Sequence, residues 1–175
     1  MLGAWEKSKA LNVVARTLYM EARGEGIDGL EMVMTVIWNR AKGDPENLVS
    51  VCLKRKQFSC WNEISGKTPE TYPIQFPKEA LSGKGGKDAQ MWNICVKIAT
   101  SAVDGTFVPE NSEWNAYYNP SKCNPSWGKT LIHTKMVGNH KVGKLGNPTS
   151  SVVSTYTVKP GDTLWSIAGK NMAKV

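Results

Sequence analysis

Glu21 and Glu25 are the first residues in the chain whose types and spacing can do chemistry. They stand in the run Thr17-Leu18-Tyr19-Met20-Glu21-Ala22-Arg23-Gly24-Glu25-Gly26. A carboxyl held on a rigid element beside apolar side chains favours its neutral form, and a neutral carboxyl can give a proton as a general acid. Leu11, Val14 and Leu18 recur at helical spacing, so the residues before Glu21 are predicted to form a helix with one face in a core. Gly24 and Gly26 are expected to end it, because glycine accepts the left-handed conformation that helix ends often need. Glu21 then falls in the last turn, at the lip of whatever cleft the loop opens. Glu25 lies past the break, where its direction is undefined. Spacing alone is equally met by a solvated glutamate on a helix surface.

Other chemistries find less to work with. The two histidines, His133 and His140, have no ligand motif around them, so no metal site or cofactor is read, and a zinc amidase lacks its ligand set. Cys52, Cys60, Cys95 and Cys123 form no Cys-x-x-Cys pair, and none sits in a nucleophile motif of the kind a Cys/His peptidase needs. Cys52 and Cys60 are near enough in sequence to bridge a short loop. Cys95 falls on an apolar helical face, as a small core residue does.

The elements that must hold Glu21 read as helices. Leu30, Val33, Ile37 and Ala41 share a face of a second helix, with Asp28 as its expected cap and Glu31 completing a capping box. Asn39 and Arg40 close that helix and read as structural. Asp44-Pro45 marks another start, with Asp as cap and Pro at the first position. Residues 63–87, rich in Gly, Pro, Lys and Thr, read as a long irregular loop with one short helix from Pro77. Asp88 is the expected cap of the strongest amphipathic helix, whose face carries Met91, Ile94, Cys95, Ile98 and Ala102.

The 175 residues are 41% hydrophobic and 21% charged, which suits one folded domain with a small appendage and excludes a disordered chain. The net charge of +7 favours a polyanionic partner. Lys54-Arg55-Lys56 is the one tight basic run and no nucleic-acid motif accompanies it, so nucleic acid is not expected. Seven tryptophans and five tyrosines are many for this length and suit a carbohydrate cleft. No segment is apolar enough to span a membrane, and Met1–Lys7 does not open a signal peptide.

The run Ala15 to Gly26 resembles the signature of bacterial cell-wall hydrolases of SleB/CwlJ type, which include spore-cortex-lytic enzymes and phage endolysins. Two further tracts carry the resemblance in the same order. One is Gln57-Phe58-Ser59. The other is Trp114-Asn115-Ala116-Tyr117-Tyr118-Asn119-Pro120 with Trp127 and then Val137-Gly138-Asn139-His140. The tyrosine tract is also similar to the Ala-Tyr-Asn run of lytic transglycosylases. Lys141 and Val142 stand where the family has an aromatic. The resemblance implies a mainly helical, lysozyme-like domain with long loops or a small hairpin, over residues 1–142. It implies that Glu21 is the catalytic acid, and that Gln57, Phe58, Ser59, Tyr117, Tyr118, Asn119, Trp127 and His140 line the substrate. In that picture Tyr118 bonds the sugar or the acid and Tyr117 stacks on a sugar ring. Adjacent strand residues point to opposite faces, so only one of the two faces the cleft. His140 also suits a purely structural hydrogen bond.

Residues 143–154 have linker composition. Residues 155–175, from Tyr156-Thr157-Val158-Lys159-Pro160-Gly161-Asp162-Thr163-Leu164-Trp165, resemble the opening half of a LysM module, which binds N-acetylglucosamine-containing glycans. The implied activity is cleavage of the β-1,4 bond between N-acetylmuramic acid and N-acetylglucosamine in peptidoglycan. Transglycosylation is expected over hydrolysis, because no second carboxylate stands out. A hydrolytic muramidase, an amidase and a non-catalytic wall-binding protein are the alternatives. The expected partner is bacterial peptidoglycan, with the protein a monomer. Without a signal peptide, the expected setting is a phage lysin that moves from host cytoplasm to cell wall.

Overall fold

The computed structural model describes residues 2–61 and 86–146. Four helices come first: α1 (Ala4–Ala22), α2 (Gly26–Arg40), α3 (Leu48–Leu53) and α4 (Lys87–Val103). Three strands follow: β1 (Ala116–Tyr118), β2 (Leu131–Val137) and β3 (His140–Leu145). Short 3-10 turns at Pro45–Asn47, Ser59–Trp61 and Ser126–Thr130 join them. The chain is thus mostly helical with a small sheet. None of the described helices is long and apolar enough to cross a membrane. The expected loop and short helix before Lys87, and the LysM-like segment, lie outside the described residues.

The core forms where the apolar stripes meet. Val13, Val14 and Leu18 of α1 are fully buried with Leu30, Val33, Met34 and Ile37 of α2 and with Cys95, Ala99 and Ala102 of α4. Tyr19 of α1 meets Trp92 of α4 edge to face at 5.8 Å. Helix α2 departs from the one-faced expectation. Every residue from Met32 to Trp38 is buried, as happens when a helix is apolar all round.

Two expected caps are corrected. Glu25, not Asp28, holds the N-cap position of α2, and Gly86, not Asp88, that of α4; neither helix has a side-chain cap bond. Asp28 and Asp88 sit in the first turns instead, where a carboxylate is favoured by the helix dipole without capping anything. Asp44 does cap as expected, accepting from the backbone N–H of Glu46 at 2.9 Å. Of the two glycines after α1, only Gly26 takes a left-handed φ, +74°.

The sheet has the order β1-β3-β2, all antiparallel, and β2 and β3 form a hairpin through Gly138-Asn139. Gly143 to Leu145, whose composition reads as linker, are the end of β3. Gly143 pairs with Ala116 and Leu145 with Leu131. A compact unit closes at Leu145. The four cysteines are free thiols, Cys52 and Cys95 buried, Cys60 half-buried and Cys123 exposed.

Candidate active site

Glu21 is anchored by what lies behind it. Residues Val13 to Tyr19 are buried, so the last turn of α1 has little freedom, and the half-buried Glu21 projects from that turn. Two groups from distant parts of the chain meet its carboxyl. The Tyr117 hydroxyl of β1 donates to Oε2 at 3.0 Å. The Ser59 hydroxyl lies 3.4 Å from Oε1, a long contact. Loss of water, then the facing Glu21 carboxylate, hold the Tyr117 phenol well above its ordinary pKa. The phenol therefore keeps its proton and remains available as a donor.

Of the two tyrosines, the one expected to stack on a sugar is the one that meets the acid. Tyr117 is the one on Glu21, whereas Tyr118, on the opposite face of β1, packs edge to face against Trp127 at 5.5 Å. Trp127 is 37% exposed, so the pair has an open side. Asn119 turns back on its own loop, its side chain accepting from the Ser121 backbone N–H and hydroxyl at 2.9 and 2.6 Å.

The Gln57-Phe58-Ser59 run divides three ways. Ser59 alone reaches the carboxyl. Phe58 is 1% exposed and belongs to the core, which corrects the expectation that it lines substrate. Gln57 accepts from Arg40 Nη1 at 2.6 Å. Arg40 also donates from Nε to the Asn115 carbonyl at 2.7 Å and lies 5.7 Å over the Phe58 ring. One guanidinium thus ties the Ser59 segment to the residue that leads into β1. Beside it, Asn39 Nδ2 donates to the Asn111 and Trp114 carbonyls at 2.8 and 2.7 Å. Asn39 and Arg40 are structural, as their place at the helix end suggests, and what they position is the pair of groups on Glu21. Arg40→Met keeps the length and loses both bonds. It is expected to cost about 1–3 kcal/mol, because the freed acceptors are left half-buried. A denaturant titration with the slope unchanged checks this.

Glu25 has a direction after all. Its Oε2 accepts from the Asn139 backbone N–H at 3.0 Å, and both oxygens accept from Asn139 Nδ2 at 3.1 Å. These bonds, the backbone one foremost, pull the Glu25 pKa below its ordinary value. His140 follows in sequence. Its Nδ1 is 3.9 Å from Glu25 Oε1, and its ring meets the Tyr117 ring edge to face at 5.4 Å. Neither the Glu25 contact nor the Arg40 network is legible in local sequence spacing, since both join residues far apart in the chain. The only signal for the first is a Glu beside the glycine break paired with a distant Gly-Asn-His.

The remaining chemistry-bearing groups lie elsewhere. His133 pairs with Glu113 at 2.6 Å, Lys144 reaches the other Glu113 oxygen at 2.6 Å, and Glu110 pairs with Lys135. Among the described residues, no three His, Cys, Asp or Glu side chains come together in a way that could hold a metal ion. Cys60 lies close to Glu21; burial first, then that carboxylate, push its thiol pKa far up, so it stays protonated.

In comparisons with known proteins, a family model described as Cell Wall Hydrolase matches residues 24–141, and a LysM domain model matches residues 156–174. Neither the curated proteins nor the solved structures yield a match. The matched span opens three residues after Glu21 and includes Ser59, Tyr117, Asn139 and His140. It covers more than half of the sequence, and on that ground the chain belongs to the cell wall hydrolase family of SleB/CwlJ type, with a LysM domain at its C-terminus.

Proposed function

We propose that this protein is a peptidoglycan glycosidase that cleaves the β-1,4 bond between N-acetylmuramic acid and N-acetylglucosamine by lytic transglycosylation, with Glu21 as acid and then base. The observation that carries this is the half-buried carboxyl of Glu21, set at a helix end anchored in the core and met by hydroxyls from two other segments. The family membership and the LysM match support a peptidoglycan substrate. So does the net charge of +7, since the wall carries carboxylate and phosphate groups. A helix-borne acid facing a small sheet also fits the lysozyme-like fold that we propose for the domain.

In its acid form Glu21 gives its proton to the glycosidic oxygen as the bond to the muramic acid C1 breaks. The carboxylate left behind is met by the Tyr117 hydroxyl. It then takes the proton of the muramic acid 6-hydroxyl while that oxygen closes on C1. The ring becomes a 1,6-anhydro sugar, the proton is back on Glu21, and no water has entered the balance. A hydrolase needs a second carboxylate as nucleophile or base. Glu25 is the natural candidate by sequence, but its two oxygens are taken by Asn139. Glu110 and Glu113 are paired with strand lysines.

The family description as a hydrolase favours the muramidase alternative, and digestion of purified sacculi in oxygen-18 water separates the two. Transglycosylation predicts anhydromuramic ends with no label by mass spectrometry. Labelled reducing muramic acid ends would establish the muramidase instead, and new amino-sugar-free peptide ends would place the protein among amidases.

A further inference from the structure

We infer that Glu25 is a positioning residue: its carboxylate clamps the Gly138-Asn139 turn to the α1–α2 junction and so fixes β3, through His140, against the tyrosine that bonds Glu21. This rests on the reading of Glu21 as the proton donor and adds a role for the second glutamate.

The clamp is a bidentate contact across the fold. Glu25 sits at the start of α2, and Asn139 closes the β2–β3 hairpin 114 residues later. The carboxylate takes the backbone N–H and the side-chain amide of one residue, which fixes the orientation of the turn as well as its distance. Gly138 is shaped to allow this. It has a φ of +54°, and a Cβ there would stand 2.4 Å from Glu25 Oε2. On the helix side, a Cβ on Gly29 would meet the Glu25 Cβ at 2.4 Å, so this side chain is enclosed from both directions. Beyond the turn, His140 is the first residue of β3 and lies edge-on to the Tyr117 ring. Tyr117 pairs with Val142 of the same strand. A shift of the turn therefore moves both contacts that set where the Tyr117 hydroxyl sits. Misplacement of a reacting geometry by about 1 Å can cost on the order of 100-fold in rate.

The test is a charge swap across the clamp, in the full chain. Asn139→Asp sets two carboxylates face to face. Its kcat on sacculi is expected to fall by about 10- to 100-fold with KM little changed, as for lost alignment. Adding Glu25→Gln gives that aspartate a donor and keeps an acceptor for the backbone N–H, and should recover most of the loss. Asn139→Ala, which keeps the backbone bond, should lose less than Asn139→Asp. The ring protons of His140, read by NMR beside the Tyr117 ring, should shift in Asn139→Asp and return in the double variant. Recovery of kcat and of the His140 shifts together supports the clamp. A cutting enzyme in which Asn139→Asp runs at the wild-type kcat overturns this inference alone, as does a loss that Glu25→Gln fails to restore. A wild-type protein that cuts no glycan overturns the Glu21 reading along with it.

Discussion

Sacculi incubated with the Glu21→Gln protein are expected to hold the enzyme and remain uncut. The glutamine side chain fills the same space: its carbonyl oxygen can still accept from the Tyr117 hydroxyl, and its amide NH2, placed where Oε1 is now, can donate to the Ser59 oxygen. What it lacks is an ionisable proton. Removing a general acid typically costs a factor of about 10² to 10⁴ in rate. Among the described glutamates, Glu25, Glu110 and Glu113 are already held by Asn139, Lys135 and Lys144. Folding should be little affected, because position 21 is half-buried at a helix end rather than inside the core. Glycan release measured beside a sedimentation assay for wall binding separates the two effects. Release at the wild-type rate would move the proton donor to another residue.

Phe58→Ala is expected to be the most destabilising single change near the site, because its ring is packed into the core rather than open to the cleft. The ring is the largest fully buried side chain among the described residues and is 1% exposed. Truncating a buried phenylalanine to alanine costs about 3–5 kcal/mol, through lost burial and the cavity left behind. The damage should spread along the chain. Ser59 is the next residue, and the Arg40 guanidinium rests over the ring while holding Gln57 and the Asn115 carbonyl. A loose Phe58 segment therefore loosens both sides of Glu21. Thermal unfolding should show a large fall in midpoint, and activity below that midpoint should fall as well. Phe58→Leu keeps most of the apolar volume and should cost far less in both. Equal stability of Phe58→Ala and wild type would show that the ring is not the support described.

The difference between what the sequence shows and what it hides follows from range. The helices are legible because Val14 and Leu18, or Leu30, Val33 and Ile37, repeat within a few residues, and local spacing sets which face is buried. The caps at Asp28 and Asp88 are misjudged because an aspartate in the first turn is favoured by the same field that favours a cap. Strand β2 gives no alternating signal. Only its ends, Leu131 and Val137, are buried, five exposed residues lie between, and its pairing is irregular between Ile132 and Lys135. For Tyr117 and Tyr118 the alternation is legible but its phase is not, since nothing local tells which of two tyrosines meets Glu21. The motif order places Phe58 at the site, yet order along the chain says nothing of which side chain turns inward. The Arg40 bridge and the Glu25 clamp join residues up to 114 positions apart, beyond any local pattern.

The central claim is that the side chain at position 21 touches the bond that breaks. A crystal structure of the Glu21→Gln protein with a bound peptidoglycan tetrasaccharide tests it most directly. The predicted complex places the oxygen between muramic acid and N-acetylglucosamine within hydrogen-bond reach of the position-21 amide, about 2.6–3.2 Å, with the Tyr117 hydroxyl on that same amide. A glycan seated away from position 21, for instance along the Tyr118–Trp127 pair, or a peptide stem in place of the sugar linkage, would contradict it.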